Sequence, residues 1–149
     1  MIENKINQDL REAMLNKEAL LVSTLRGLKS VILYFKIDNG GKRDQTLSDQ
    51  DMIRLLLKES KKRQESADLY KQGGNQEKAD KELAEKTIID SYLPEQIDPQ
   101  KLQAIVNSVV SDFSDDKTKI GAIIAEVKNR TNGRAEGFKI AELVKEHFK

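Results

Sequence analysis

Apolar residues recur at intervals of three and four along most of the chain, which is the spacing of one face of an α-helix. The first stripe is Ile2, Ile6, Leu10, Ala13 and Met14, and the second is Leu21, Leu25, Leu28, Ile32 and Phe35. These two stripes predict two helices that pack as an antiparallel pair. The second helix should end at Asp38–Gly41, because glycine tolerates the left-handed conformation that follows many helices.

Capping residues predict the limits of a third and a fourth helix. Ser48 stands three residues before Asp51, which is close to a capping box and starts a helix near Asp49. Gly73 and Gly74 should end that helix, and Asn75 can cap the next one, which should stop at Tyr92-Leu93-Pro94. The positions expected to face inward on these two helices are Ile53, Leu56, Leu57, Ser60, Ala67, Tyr70, Ala79, Leu83 and Ile88.

Both prolines of the chain lie in the segment Tyr92–Pro99, where Asp98-Pro99 is typical of a helix N-cap followed by proline at the first helical position. We therefore predict a boundary between an N-terminal helical domain, residues 1–93, and a C-terminal domain, residues 94–149. Three more apolar stripes follow, over residues 102–113, 120–127 and 140–148. The predicted fold class is all-α, with an N-terminal helical hairpin or bundle followed by a small C-terminal three-helix bundle.

The composition and the motifs argue against several kinds of catalytic, phosphate-binding and metal-binding site. The chain has no Cys, which excludes disulfides, thiolate metal sites and cysteine nucleophiles, and its one histidine, His147, lies near the C-terminus. The paired glycines lack the spacing of a phosphate-binding loop, and the paired carboxylates stand at helix starts, where the helix dipole favours them. We expect no catalytic residues, no cofactor and no metal. With no targeting segment and no apolar stretch that could span a bilayer, we expect a soluble cytoplasmic protein without a membrane partner.

The formal net charge is only +1, from 26 Lys and Arg against 25 Asp and Glu, so a nucleic-acid partner would have to be recognised by a local cluster of cations. One cluster lies on the third predicted helix and consists of Lys58, Lys61, Lys62 and Arg63. Acidic residues are close by in the sequence, which favours an ordinary solvated helix face. A secondary role in following an RNA backbone is the alternative.

A second cluster surrounds the connection between the last two predicted helices. From Lys128 to Lys149 there are six Lys or Arg residues against three Glu, and Gly133 and Gly137 would allow a ligand backbone to approach closely. The candidate RNA-binding residues are Lys128, Arg130, Gly133, Arg134, Gly137 and Lys139. Two interpretations stay open on spacing alone: a phosphate-binding turn before a helix start, or cations that complement a helix C-terminus.

Three segments together resemble the GatB/YqeY family, and in particular its free-standing YqeY-like members. They are Leu25-Arg26-Gly27-Leu28-Lys29, Tyr92-Leu93-Pro94-Glu95-Gln96 and Gly133-Arg134-Ala135-Glu136-Gly137, and the resemblance runs over essentially the full length. It implies an all-helical fold whose C-terminal part is similar to the tail domain of the B subunit of the tRNA-dependent amidotransferase. That tail is understood to recognise tRNA, and Arg130, Gly133, Arg134 and Gly137 match the turn that it presents towards RNA.

The resemblance implies a tRNA-binding accessory protein related to the amidotransferase that amidates Glu-tRNA and Asp-tRNA. The expected partners are tRNA and an amidotransferase or aminoacyl-tRNA synthetase complex. A carbon–nitrogen ligase activity with glutamine as amido-N donor, exercised within a complex, is one alternative, and a helical adaptor that binds other proteins is another. No independent activity is expected, because the chain offers no nucleophile or metal set.

Overall fold

The computed structural model describes all 149 residues and contains helices but no strands, which confirms the predicted all-α class. The helices are α1 (Ile2–Leu15), α2 (Ala19–Asp38), α3 (Asp49–Gln72), α4 (Gln76–Asp90), α5 (Pro99–Asp112), α6 (Ile120–Thr131) and α7 (Gly137–His147). A single 3₁₀ turn at Lys117–Lys119 leads into α6.

The three predicted N-caps are confirmed by their hydrogen bonds. Ser48 Oγ accepts from the backbone N–H of Asp51 at 3.2 Å, and Asn75 Oδ1 accepts from that of Lys78 at 3.1 Å. Asp98 Oδ1 accepts from the backbone N–H of Gln100 at 2.7 Å, with Pro99 as the first helical residue. Each cap satisfies an amide that the helix itself leaves without an acceptor.

The chain packs as two compact units, Met1–Leu93 and Pro94–Lys149. In the first unit α3 packs along α4, and α1 and α2 pack against each other and against α3, with α2 also contacting α4. Their core is made of buried residues from all four helices. It consists of Ile6, Leu10, Leu25, Leu28, Ile32, Met52, Leu56 and Ile89.

One inward position predicted for the first unit is wrong. Met14 is 49% exposed, because the buried stripe of α1 ends at Ala13 and the chain turns immediately afterwards, with Lys17 in the left-handed conformation at φ +56°. On α4 the predicted inward residue Ala79 is fully buried and Ile88 is partly buried against the core, while Ile89, which the apolar pattern does not single out, is fully buried.

A buried ion pair secures the loop between α2 and α3 to α1. Lys36 Nζ lies 2.8 Å from Glu3 Oε1 and 3.1 Å from Oε2, and it also donates to the carbonyl of Arg43 at 3.3 Å. Glu3 Oε1 accepts in turn from the backbone N–H of Leu47 at 3.4 Å. These contacts hold the middle and the end of the loop, which has no helix or strand of its own.

In the second unit each of the helices α5, α6 and α7 packs against the other two. Nine buried residues form its core, namely Leu102, Val106, Val109, Val110, Ile123, Val127, Ala135, Ile140 and Val144. The backbone N–H of Ile97 donates to the carbonyl of Arg134 at 2.7 Å, which anchors the segment before α5 to the α6–α7 connection.

Candidate nucleic-acid interface

The candidate RNA-binding residues of the second unit surround one reversal of the chain. Asn132 and Gly133 follow α6 and both adopt the left-handed conformation, with φ of +43° and +81°. This conformation costs most residues about 1–2 kcal/mol, and Asn and Gly are the types that adopt it most readily. Residues 132–136, here called the α6–α7 turn, therefore bring the end of α6 and the start of α7 together.

Arg130 is engaged by two carboxylates. Its Nη2 lies 2.8 Å from Asp112 Oδ2 and its Nε lies 3.0 Å from Glu126 Oε1. The hydrogen bond to Asp112, followed by the one to Glu126, raises the pKa of Arg130. Because Asp112 belongs to α5, this side chain links two helices, and its charge is compensated before any phosphate arrives.

The other cations of the cluster have no such partner. Ion pairs in the second unit involve Arg130, His147 and Lys149, and none involves Lys128, Arg134 or Lys139, which are all exposed. Arg134 Nε donates to the carbonyl of Thr131 at 3.3 Å, which orients the guanidinium while its terminal nitrogens stay without a protein acceptor. These three residues are the cations most accessible to an anion.

Gly137 permits a close approach between Lys128 and the start of α7. A Cβ atom at this position would lie 3.2 Å from Lys128 Cε and 3.3 Å from Lys128 Nζ, tighter than most Cβ contacts in proteins. The ammonium of Lys128 therefore lies beside the first residue of α7. Gly133 has a positive φ and Gly137 does not, so the backbone conformation does not itself require a glycine at residue 137.

The first turn of α7 presents donors to solvent. Its N-cap, Glu136, makes no side-chain hydrogen bond to the helix, and the backbone amides of Gly137, Phe138 and Lys139 have no acceptor within the protein. The first internal bond runs from Ile140 N–H to the carbonyl of Glu136 at 3.0 Å. Free amides and the positive end of the helix dipole favour an anion here, although the Glu136 carboxylate opposes one.

Phe138 is a residue that sequence reasoning missed. Its side chain is 76% exposed, directly between Gly137 and Lys139. The signal was present in the sequence: Phe138 stands two residues before Ile140, which places it on the opposite face of α7 from the buried stripe. An exposed aromatic ring beside cations can stack on a nucleic-acid base.

In the basic cluster on α3, two of the four cations form ion pairs and two do not. Arg63 Nη1 lies 3.4 Å from Glu82 and 3.3 Å from Glu85, so this residue ties α3 to α4. Lys62 Nζ lies 3.2 Å from Glu59 Oε1. Lys58 and Lys61 are exposed and make no ion pair. Two of the four cations are thus compensated within the first unit.

The Tyr-Leu-Pro segment has a structural role at the end of α4. Tyr92 Oη donates to Asp9 Oδ2 at 2.7 Å, and Lys5 Nζ donates to Asp9 Oδ1 at 2.8 Å. Burial and this hydrogen bond raise the pKa of Tyr92. Partial burial alone would raise the pKa of Asp9. The hydrogen bonds from Lys5 and Tyr92 outweigh this effect, so the pKa of Asp9 is lowered.

No group of three or more acidic or histidine side chains is arranged to hold a metal ion. None of the helices combines the length and the apolar character that crossing a membrane requires.

The fold and the turn together define an all-helical protein with a three-helix C-terminal unit that presents uncompensated cations at a helix start. The family described as Yqey-like protein matches residues 3–148, which is nearly the whole chain. The chain therefore belongs to the YqeY-like family, as the resemblance of its motifs predicts. No curated protein matches the sequence.

Proposed function

We propose that this protein is a tRNA-binding accessory protein that contacts the RNA backbone through the α6–α7 turn. The observation that carries the proposal is the group of three exposed cations, Lys128, Arg134 and Lys139, that have no acidic partner and surround a helix start with free amides. Cations that are not already paired bind phosphate without first releasing a carboxylate. An association with tRNA-dependent amidation, in complex with an amidotransferase or a synthetase, is proposed from the family resemblance.

In this proposal the protein binds RNA despite a net charge of only +1, because phosphate binding depends on a local cluster of cations and not on the total charge. Aromatic residues make up 5% of the chain and Trp is absent, so stacking on many bases is not the main source of affinity. Recognition of the shape and backbone of folded RNA suits such a surface better. In this proposal Arg130 positions α6 against α5 and contributes less to phosphate binding than Arg134.

The test compares two double variants that remove the same charge. Arg134→Ala with Lys139→Ala removes two uncompensated cations at the turn, and Lys58→Ala with Lys61→Ala removes two uncompensated cations on α3. The turn variant should weaken tRNA binding and lower the slope of log affinity against log salt by about 0.9 for each phosphate that the protein no longer neutralises. The α3 variant should leave the slope close to that of the unmodified protein.

Circular dichroism and thermal melts should be unchanged in both variants, because all four side chains are exposed and make no ion pair. Equal losses of affinity in the two variants would show that only total charge matters and would contradict a site at the turn. A loss confined to the α3 variant would move the RNA surface to the cluster of Lys58, Lys61, Lys62 and Arg63. An unmodified protein that does not bind tRNA would refute the proposal.

A further inference from the structure

A groove of about 520 Å³ runs along the second unit between the start of α5 and the start of α7. Its walls are mainly aliphatic, and they are formed by Ile97, Pro99, Leu102, Ala135 and Leu143. The hydrogen bond from Ile97 N–H to the Arg134 carbonyl, 2.7 Å long, fixes one wall to the other. The groove is therefore held open by the fold of a single unit.

The polar groups of the groove are amides and cations. Gln96, Gln100 and Gln103 line it, and only the side chain of Gln103 is engaged, through a 2.9 Å hydrogen bond to Asn107. The side-chain amides of Gln96 and Gln100 have no partner within the protein. Arg134 and Lys139 stand at the rim, and the one acidic residue in the lining is Glu136.

Resting on the proposed function, we propose that this groove receives one unpaired nucleotide of the bound RNA. The base would lie against the aliphatic walls, its edge would reach the amides of Gln96 and Gln100, and the adjoining phosphate would meet Arg134 and Lys139. The charge of the rim is complementary to a phosphate.

The chemistry of the lining favours a nucleotide over other anions. A base has apolar faces and an edge with both donors and acceptors, and a glutamine amide offers a donor and an acceptor in one group. The volume falls within the range of small-molecule sites. A base in a duplex is stacked and paired, so only an unpaired nucleotide can enter. An acidic peptide could use the two cations and pair its backbone with the amides, but its charged side chains offer no flat apolar face to the aliphatic walls.

The test uses two labelled RNA probes of the same sequence, a single strand of about eight nucleotides and the corresponding duplex, with binding followed by fluorescence anisotropy. The unmodified protein should bind the single strand more tightly than the duplex. Gln96→Ala with Gln100→Ala should weaken binding of the single strand about five- to twenty-fold, as expected for the removal of two hydrogen bonds, without changing the salt slope. Binding of the duplex should stay the same.

A matched control is Gln50→Ala with Gln72→Ala, which removes two exposed amides at the ends of α3 and should leave both affinities unchanged. If the groove variant and this control bind the single strand equally well, the groove does not hold a nucleotide, while tRNA binding at the turn can still stand. If an acidic peptide of matched charge binds more tightly than the single strand and competes with it, the groove is a peptide site and the proposal is overturned. Absence of tRNA binding by the unmodified protein would refute the proposed function as well.

Discussion

Replacing Lys36 with methionine should destabilise the first unit strongly, because it leaves a buried carboxylate without its cation. The side chains of Lys36 and Glu3 are 8% and 9% exposed, and the ammonium contacts both carboxylate oxygens. Without it, Glu3 keeps one hydrogen bond, a long one of 3.4 Å from the backbone N–H of Leu47. Breaking a buried pair on one side costs about 3–5 kcal/mol.

That cost is a large share of the roughly 5–15 kcal/mol by which a domain is typically stable. The measurement is a urea titration followed by far-UV circular dichroism, from which the free energy of unfolding is extrapolated to water. The matched control is Lys29→Met, an exposed lysine on the same helix without an ion pair, which should change the free energy by less than about 0.5 kcal/mol.

A double variant separates the charge effect from packing. Glu3→Leu with Lys36→Met removes both charges, and it should recover most of the stability because a buried pair contributes little net stability over apolar residues of similar size. A decrease below about 1 kcal/mol for Lys36→Met would show that water reaches Glu3 in the variant. A double variant as unstable as the single one would show that the methionine itself does not fit, and either result would refute the reasoning.

Two further predictions concern the segment between the units and the dependence on pH. Tyr92 is bonded to Asp9 in the first unit and Ile97 to Arg134 in the second, so the exposed Glu95 between them should be the first site cut by a glutamate-specific protease. Early cleavage elsewhere with Glu95 intact would argue against independently folded units. The lowered pKa of Asp9 means that its contribution to stability is present above the unfolded value of about 3.9 and is lost as the pH falls through the lower folded value. Asp9→Asn should therefore show a shallower decline of unfolding free energy with acid than the unmodified protein, and identical acid profiles would contradict this.

The parts of the fold that sequence reasoning predicted well depend on residues close together in the chain. Ser48, Asn75 and Asp98 each cap an amide two or three residues later, so their role can be read without knowing what the helix packs against. The number and type of the helices follow in the same way from apolar spacing.

The features of the fold that sequence reasoning missed depend on packing between helices. Ile88 and Ile89 stand about 100° apart around α4, and only the position of the neighbouring helices decides which of the two is fully buried. The ion pair of Glu3 and Lys36 joins residues 33 positions apart, and neither side chain stands out in its own helix. Long-range pairs of this kind have no local signature.

At the candidate site, too, one contact of Arg130 could be predicted from the sequence and one could not. The contact between Arg130 and Glu126 spans four residues on one helix, a spacing at which opposite charges are neighbours, and could have been predicted. The contact with Asp112 could not, because it requires α5 to lie beside α6. A phosphate that binds Arg130 must compete with both carboxylates, whereas one that binds Arg134 competes with none. The structure therefore gives a physical reason to distinguish two arginines that the sequence treats alike, and under the proposed function the residues at the start of α7 are the first to test for RNA contact.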